Sequence, residues 1–191
     1  DNAQLIFESL NSTGLALSEG DKIRNYILMG LPPKVQSEYY DKYWEKIERL
    51  TRNQLSAFIR DYLSIKQQVT PNVNAVYPAF KKYAEGVQLS VEALLEELLK
   101  YARLFEKLLT CKSGLGDKRL DDCLYRMARL EITVTRPFLL EVLRLNQDGY
   151  QGRTLSAAEV RNVFELTENY LFRRHVCDVP TNALNKIFLT L

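Results

Sequence analysis

The sequence predicts an all-α fold, a multi-helix array of roughly nine or ten helices with no significant sheet. Along almost the whole chain, apolar residues recur at intervals of three and four, the spacing of one buried helix face. The alternation of apolar and polar residues that marks a half-buried strand is almost absent. The breaks between periodic segments are short and contain proline, glycine, asparagine or serine, as loops between packed helices do.

The first predicted helix ends at a polar turn formed by residues 11–14. Ser18 is placed to cap the second helix, with Asp21 three residues further on as its partner in a capping box. Gly30 and the two prolines that follow end this helix. Its predicted buried face consists of Ile23, Tyr26 and Ile27.

Further helices are predicted on both sides of a glycine-containing link. Apolar spacing places four of them at about residues 40–50, 55–63, 73–84 and 91–109. Residues 113–117 are predicted to be a flexible link, and another helix begins at Lys118.

The last third of the chain carries the clearest start signals for helices. Residues 132–135 are predicted to form a short extended bridge, after which Pro137 occupies the first turn of a buried helix. Ser156 and Glu159 form a strong capping box for the next helix. That helix is predicted to bury Val160, Val163, Phe164, Thr167 and Leu171. A final helix follows Pro180.

Composition excludes several classes of protein. Hydrophobic residues make up 46% and charged residues 26%, which is typical of a soluble globular protein. The formal net charge of +2 is too close to neutrality to indicate nucleic-acid binding by bulk charge. No apolar run approaches the ~20 residues of a membrane span, and the first ten residues lack the basic start and apolar centre of a signal peptide. We therefore expect a cytoplasmic protein without a membrane partner, whose three cysteines are reduced thiols.

Both ends of the sequence lie within helical patterns. The chain opens with Asp1 rather than Met and closes at Leu191 inside an amphipathic pattern. Natural termini usually trail off in polar residues, so we expect this chain to be a piece of a longer protein. Residues 1–33 are predicted to be the end of one domain, and residues 34–191 a helical domain of their own.

The polar turn is a candidate phosphate contact through Asn11, Thr13 and Gly14. It precedes a capped helix, and a helix N-terminus offers free N–H groups and a positive dipole end. The Gly-Lys-Ser/Thr ending of a P-loop is missing, which favours a purely structural turn. Arg24 and Asn25, on the helix that follows, are further candidates for phosphate or interdomain contacts.

Arg173 and Arg174 are the second group of candidate contacts, next to the single histidine. They complement the negative end of a helix dipole, or they contact a phosphate backbone or an acidic patch on a neighbouring domain; both interpretations stay open. His175 lacks the partners that a zinc site, an HNH nuclease or a Ser-His-Asp triad requires. We assign no catalytic, cofactor-binding or metal-binding residue.

Two further features are interpreted as core rather than as sites. The aromatic residues at positions 39–44 match a core-facing stripe better than a base-stacking surface. Cys123 falls on an apolar helix face and is interpreted as a small buried residue.

Two segments resemble bacterial restriction proteins of the GmrSD type, also described as the domain of unknown function 262 family, which have a ParB-like N-terminal domain. The first segment matches that family at Phe7, Leu10, Asn11, Gly14, Leu17, Ser18, Asp21, Ile23, Arg24 and Asn25. The second segment, residues 169–188, is similar to the helical region that precedes the family's C-terminal HNH-type nuclease. The resemblance is specific at both ends, and only helical character is shared between them.

The resemblance implies a parent protein that couples nucleotide hydrolysis to cutting of foreign or modified DNA. Its nucleoside triphosphate and divalent-metal sites would lie outside this chain, which would hold no cofactor and would contact the flanking domains of its parent. The loop at residues 11–17 would sense the nucleotide end, and the turn at residues 173–178 would face the nuclease.

Two alternatives to this non-catalytic connector remain. One is a helical DNA-binding module whose basic face consists of Arg49, Arg52, Arg60, Lys81, Lys82 and Arg173. The other is a stand-alone protein-interaction domain.

Overall fold

A computed structural model describes residues 17–180 and 183–190, most of which are helical. Its helices are α1 (Glu19–Leu28), α2 (Pro33–Tyr39), α3 (Glu45–Thr51), α4 (Leu55–Gln67), α5 (Val76–Gly86), α6 (Val91–Thr110), α7 (Lys118–Arg129), α8 (Arg136–Asp148), α9 (Ala157–Val176) and α10 (Leu184–Leu189). No strand occurs among the described residues. The prediction of an all-α fold is confirmed. The polar turn at residues 11–14 lies outside the described part of the chain.

The described residues divide into two compact units. Unit 1 comprises residues 17–63 and 70–102, and unit 2 comprises residues 64–69 and the described residues from 103 onward. The division falls within α4 and α6, so each of these helices contributes residues to both units. Within unit 1, α1 packs against α5. The domain boundary after residue 33 stays a prediction.

The start of α1 in unit 1 contains one half of the predicted capping box and lacks the other. The hydroxyl oxygen of Ser18 accepts a hydrogen bond from the backbone N–H of Asp21 at 3.1 Å, as an N-cap should. The Asp21 carboxylate accepts a bond from the Ser18 hydroxyl at 2.6 Å instead of returning to a backbone N–H. Ser18 is therefore an N-cap, but the reciprocal half of the capping box does not form. Ile23 and Ile27 are buried as predicted, whereas Tyr26 is half-buried.

A π-helical turn at Tyr40–Trp44 joins α2 to α3. A π turn holds one residue more than an α turn, which lets Tyr43 and Trp44, neighbours in sequence, both enter the core of unit 1. The indole N–H of Trp44 donates to Oε1 of Glu48 at 2.7 Å, so this buried polar group is satisfied. Burial of Tyr43 and Trp44 agrees with the core interpretation of the aromatic run.

Unit 2 packs α7 along α9 around a core that includes Cys123, which is fully buried as predicted. The prediction of an extended bridge at residues 132–135 is wrong. A 3-10 turn at Thr133–Thr135 runs directly into α8, and the Thr135 hydroxyl donates to the carbonyl of Ile132 at 3.3 Å. The β-branched residues suggested a strand, but this local hydrogen bond offers the backbone a tighter turn.

The 113–117 link is anchored, contrary to the prediction of a flexible segment. Ser113 is buried, and both its backbone N–H and its hydroxyl donate to Oδ1 of Asp121, at 2.7 and 2.6 Å. Gly114 and Gly116, which follow Ser113, indicate a flexible loop, but the sequence does not reveal the bonds between Ser113 and Asp121.

The loop between α8 and α9 depends on Gly149. Its φ of 73° and ψ of −176° belong to a region that is open almost only to glycine. A Cβ at this position would lie 2.7 Å from the carbonyl oxygen of Arg153. The backbones of Tyr150 and Arg153 exchange hydrogen bonds of 2.8 and 3.0 Å, which close the turn before α9.

Candidate functional site

Helix α9 begins at the capping box that the sequence predicts. The backbone N–H of Ser156 donates to Oε2 of Glu159 at 2.9 Å, and the Ser156 hydroxyl does so at 2.8 Å. In return, the Ser156 oxygen accepts the N–H of Glu159 at 3.3 Å. The bonds from Ser156, reinforced by Arg153 at 2.5 Å, lower the pKa of Glu159 to about 2. The position and direction of the first turn are thereby fixed.

Ion pairs connect α9 to α7 and to the residue that caps α7. They join Arg161 to Asp117 at 2.7 Å, Arg119 to Glu165 at 3.0 Å, and Arg126 to Glu168. Arg126 donates to both carboxylate oxygens of Glu168, the forked geometry that an arginine offers to a carboxylate. These bonds lower the pKa of Glu168. One side of α9 is therefore held to α7 at three levels along its axis.

The side of α9 turned away from its buried residues exposes large apolar side chains. Leu166 is 72% exposed, Phe172 55% and Val176 65%. The buried side consists of Val160, Phe164, Thr167 and Leu171. The exposed residues lie between polar ones on the far side of the helix, and we call residues 162, 165, 166, 169, 172, 173 and 176 the outer face of α9. The outer face therefore combines large apolar side chains with polar and charged ones, as protein interaction surfaces do.

The C-terminal end of α9 is a Schellman motif built on Asp178. The N–H of Val179 donates to the carbonyl of Arg174 at 2.9 Å, and the N–H of Asp178 donates to the carbonyl of His175 at 3.2 Å. Asp178 has a φ of 51°, in the left-handed region where glycine is usual. The helix thus ends on a residue that is strained relative to glycine.

Arg174 takes part in this ending. Its guanidinium donates to the hydroxyl of Tyr170 at 3.2 Å and to the carbonyl of Pro180 at 2.5 Å, and it stacks on the Tyr170 ring at 5.5 Å. These contacts favour the structural interpretation of Arg174. Arg174 also lines a cavity of about 360 Å³ together with His175 and Asp178. Both a guanidinium and a carboxylate line this cavity, so its charges favour neither an anionic nor a cationic ligand.

Arg173 differs from its neighbour. Its side chain is exposed, and no described residue accepts a hydrogen bond or an ion pair from its guanidinium. His175 is also exposed. The structure therefore leaves Arg173 available to a group outside the described residues.

The candidate residues near the start of the chain have partners inside unit 1 or lie outside the described residues. Arg24 contacts Oε1 of Glu48 at 3.2 Å and Oδ1 of Asp21 at 3.3 Å, and its Nε donates to Oδ1 of Asn25 at 3.4 Å. Arg24 and Asn25 are thus part of an internal polar network. Asn11, Thr13 and Gly14 lie outside the described residues.

The residues of the hypothetical basic face are split between the units. Arg173 belongs to unit 2, and the other five belong to unit 1. Arg60 donates its Nε to the carbonyl of Pro71 at 2.7 Å, which gives it a structural role in a loop. Arg49, Arg52 and Lys82 are exposed.

Side chains of the aromatic run at positions 39–44 share a carboxylate partner on α6 that was not predicted from the sequence. Glu92 accepts hydrogen bonds from Tyr43 at 2.8 Å, Lys42 at 2.9 Å and Tyr39 at 3.3 Å. The bond from Lys42, followed by that from Tyr43, lowers the pKa of Glu92. These bonds tie the π turn to α6 within unit 1.

The exposure of Leu166, Phe172 and Val176 was not predicted from the sequence. These apolar residues are interspersed with polar ones and do not form one continuous stripe at helical spacing. The inward residues account for the amphipathic pattern of α9 by themselves.

Comparison with protein-family models, curated proteins and solved structures finds no match to this chain. The fold and the contacts above define an all-α protein with large apolar side chains exposed on α9. None of the described helices has the length and apolar character needed to cross a membrane. Among residues 17–180 and 183–190, no group of three or more metal-binding side chains occurs.

Proposed function

We propose that this chain is a non-catalytic helical module of a bacterial restriction or antiphage-defence protein in the cytoplasm. There it would connect an N-terminal nucleotide-hydrolysing domain to a C-terminal HNH-type nuclease. The parent protein would supply the nucleoside triphosphate and divalent-metal sites. The module would transmit a change in one domain to the other, which requires a body that moves as one piece or switches between two packings.

The observation that supports this role is the set of ion pairs that holds α9 to α7. The segment that resembles the region before the nuclease begins within α9, at residue 169. The ion pairs at Asp117, Arg119 and Arg126 hold that helix to its neighbour at three levels, while Leu166, Phe172 and Val176 stay exposed. A partner bound to the outer face would therefore follow the movement of unit 2 as a whole.

Charge reversal in the parent protein tests this role. In the variant Arg126→Glu, the forked pair between α7 and α9 becomes repulsive, and we expect DNA cutting to fall relative to nucleotide hydrolysis. Adding Glu168→Arg restores the pair with reversed sign and should restore the ratio. Both reactions are measured on the same preparation, and the unfolding midpoint is recorded for each variant.

Arg153→Glu provides the matched control, because it breaks an exposed ion pair of α9 with Glu159 that does not reach α7. It should leave the ratio of the two reactions unchanged. An unchanged ratio in Arg126→Glu, or a loss that Glu168→Arg does not repair, would contradict the connector role. The contacts of Asn11, Thr13, Gly14, Arg24, Asn25, Arg173 and Arg174 with flanking domains remain predictions.

A helical DNA-binding module is the second candidate, because Arg49 and Arg52 are exposed three residues apart at the end of α3. Phosphate contacts release counterions, so the affinity for duplex DNA would fall steeply as salt rises. A titration of the chain with duplex DNA at two ionic strengths, repeated with R49A/R52A, decides it. Absence of binding at low salt would remove this candidate.

A further inference from the structure

The outer face of α9 has a nearly palindromic order of side chains. Asn169 is its midpoint: Leu166 and Phe172 lie three residues to either side, and Glu165 and Arg173 lie four residues to either side. Residues three and four apart fall on neighbouring positions of a helix surface. Reversing the helix about Asn169 therefore exchanges one large apolar residue for another and an acidic residue for a basic one.

This order fits a second copy of the same helix in the antiparallel direction. With a two-fold axis at Asn169, Leu166 of one chain lies level with Phe172 of the other, and Glu165 lies level with Arg173. Arg119 contacts one oxygen of Glu165, and a carboxylate accepts further bonds. A parallel pair would instead place Arg173 beside Arg173 and Glu165 beside Glu165, which is repulsive.

Two further properties favour a second copy. Antiparallel helices place opposite ends of their dipoles side by side. The net charge of +2 gives little repulsion between two identical chains. A two-fold interface requires the same surface to complement itself. The outer face meets that requirement at Leu166 with Phe172 and at Glu165 with Arg173, whereas Val176 lies level with Asn162 of the second copy.

We infer that the outer face of α9 binds the outer face of a second copy, forming an antiparallel, two-fold homodimer centred on Asn169. Burial of Leu166, Phe172 and Val176 supplies the stability of the dimer. The contacts between Glu165 and Arg173 set its direction. The connector role plays no part in this inference, which holds or fails for the 191-residue chain by itself.

Sedimentation velocity from micromolar to millimolar concentration measures the association. The native chain should show a concentration-dependent dimer. Leu166→Glu and Phe172→Glu should each raise the dissociation constant at least about tenfold, as hot-spot residues do. Tyr150→Glu is the control, because Tyr150 lies outside α9 and its exposed fraction of 65% falls between those of Phe172 and Leu166. A native chain that stays monomeric, or a dimer that both α9 variants leave intact, would overturn the inference.

Disulfide cross-linking tests the direction and the centre. In a chain with Cys111 and Cys177 replaced by serine, Asn169→Cys should cross-link two copies under a mild oxidant. Asn162→Cys should not, because two copies of this residue would lie ~20 Å apart along the axis in the antiparallel pair. In a parallel pair both variants would cross-link. Equal cross-linking of the two variants, or none by Asn169→Cys, would refute the proposed geometry.

Discussion

Replacement of Asp178 by glycine should stabilise the protein. An L-residue in the left-handed region costs roughly 1–2 kcal/mol, and glycine avoids this cost. The change also removes a carboxylate from the negative end of the α9 dipole, a gain of about 0.3 kcal/mol at an exposed position. Glycine also has more conformational freedom in the unfolded chain, which lowers the free energy of unfolding by about 0.5–1 kcal/mol. The expected net increase in the free energy of unfolding is about 1 kcal/mol.

Urea and thermal unfolding of Asp178→Gly measure this gain. For a protein of this size, 1 kcal/mol raises Tm by about 2–4 °C. Asp178→Asn is the matched control, since it removes the charge but keeps a side chain in the left-handed region. We expect glycine to stabilise more than asparagine, and asparagine at least as much as the native residue. A glycine variant less stable than the native chain, or equal to the asparagine variant, would show that backbone strain is not the dominant effect.

Three other predictions address the loop before α9, its cap and the core of unit 2. Gly149→Ala should lower the free energy of unfolding by about 1–3 kcal/mol in a urea titration, whereas Gly86→Ala, whose added Cβ meets nothing within 4 Å, should be near neutral. Ser156→Ala should cost about 1 kcal/mol and raise the pKa of Glu159 above its native value of about 2, as measured by NMR titration. Because folding lowers that pKa, the ionised Glu159 carboxylate stabilises the native protein fully at neutral pH, and this stabilisation is lost as pH falls toward about 2. The variant should lose less stability over this range. Cys123 should react with a thiol reagent only after unfolding, because burial raises the pKa of its thiol and blocks access; rapid reaction of the native chain would contradict this.

Features encoded within one turn of helix could be predicted from the sequence. The capping box of Ser156 and Glu159 needs only residues three apart, and the structure contains it in full. Burial of Cys123 follows from its place among leucines on one helix face. The all-α class follows from the same local periodicity, summed over the chain.

Features that depend on contacts between distant residues could not be predicted. Glu92 accepts hydrogen bonds from Tyr39, Lys42 and Tyr43, which lie about fifty positions away in the sequence. Asp121 accepts a hydrogen bond from Ser113, a contact that no sequence spacing predicts. For α9, periodicity identifies only the inward residues. Whether Leu166, Phe172 and Val176 are covered depends on the helices packed around α9, which no local spacing encodes.

The π turn at Tyr40–Trp44 also bears on how this chain tolerates changes in length. A deletion inside a helix normally rotates every later residue by about 100°, and so carries the buried face out of the core. Here the helix already contains one residue more than a regular turn, so deleting the exposed Asp41 would convert the bulge into ordinary helix and keep Ile47 pointing inward. The loss would be confined to the paired placement of Tyr43 and Trp44, which makes this turn a point where one residue can be gained or lost without rebuilding the rest of the unit.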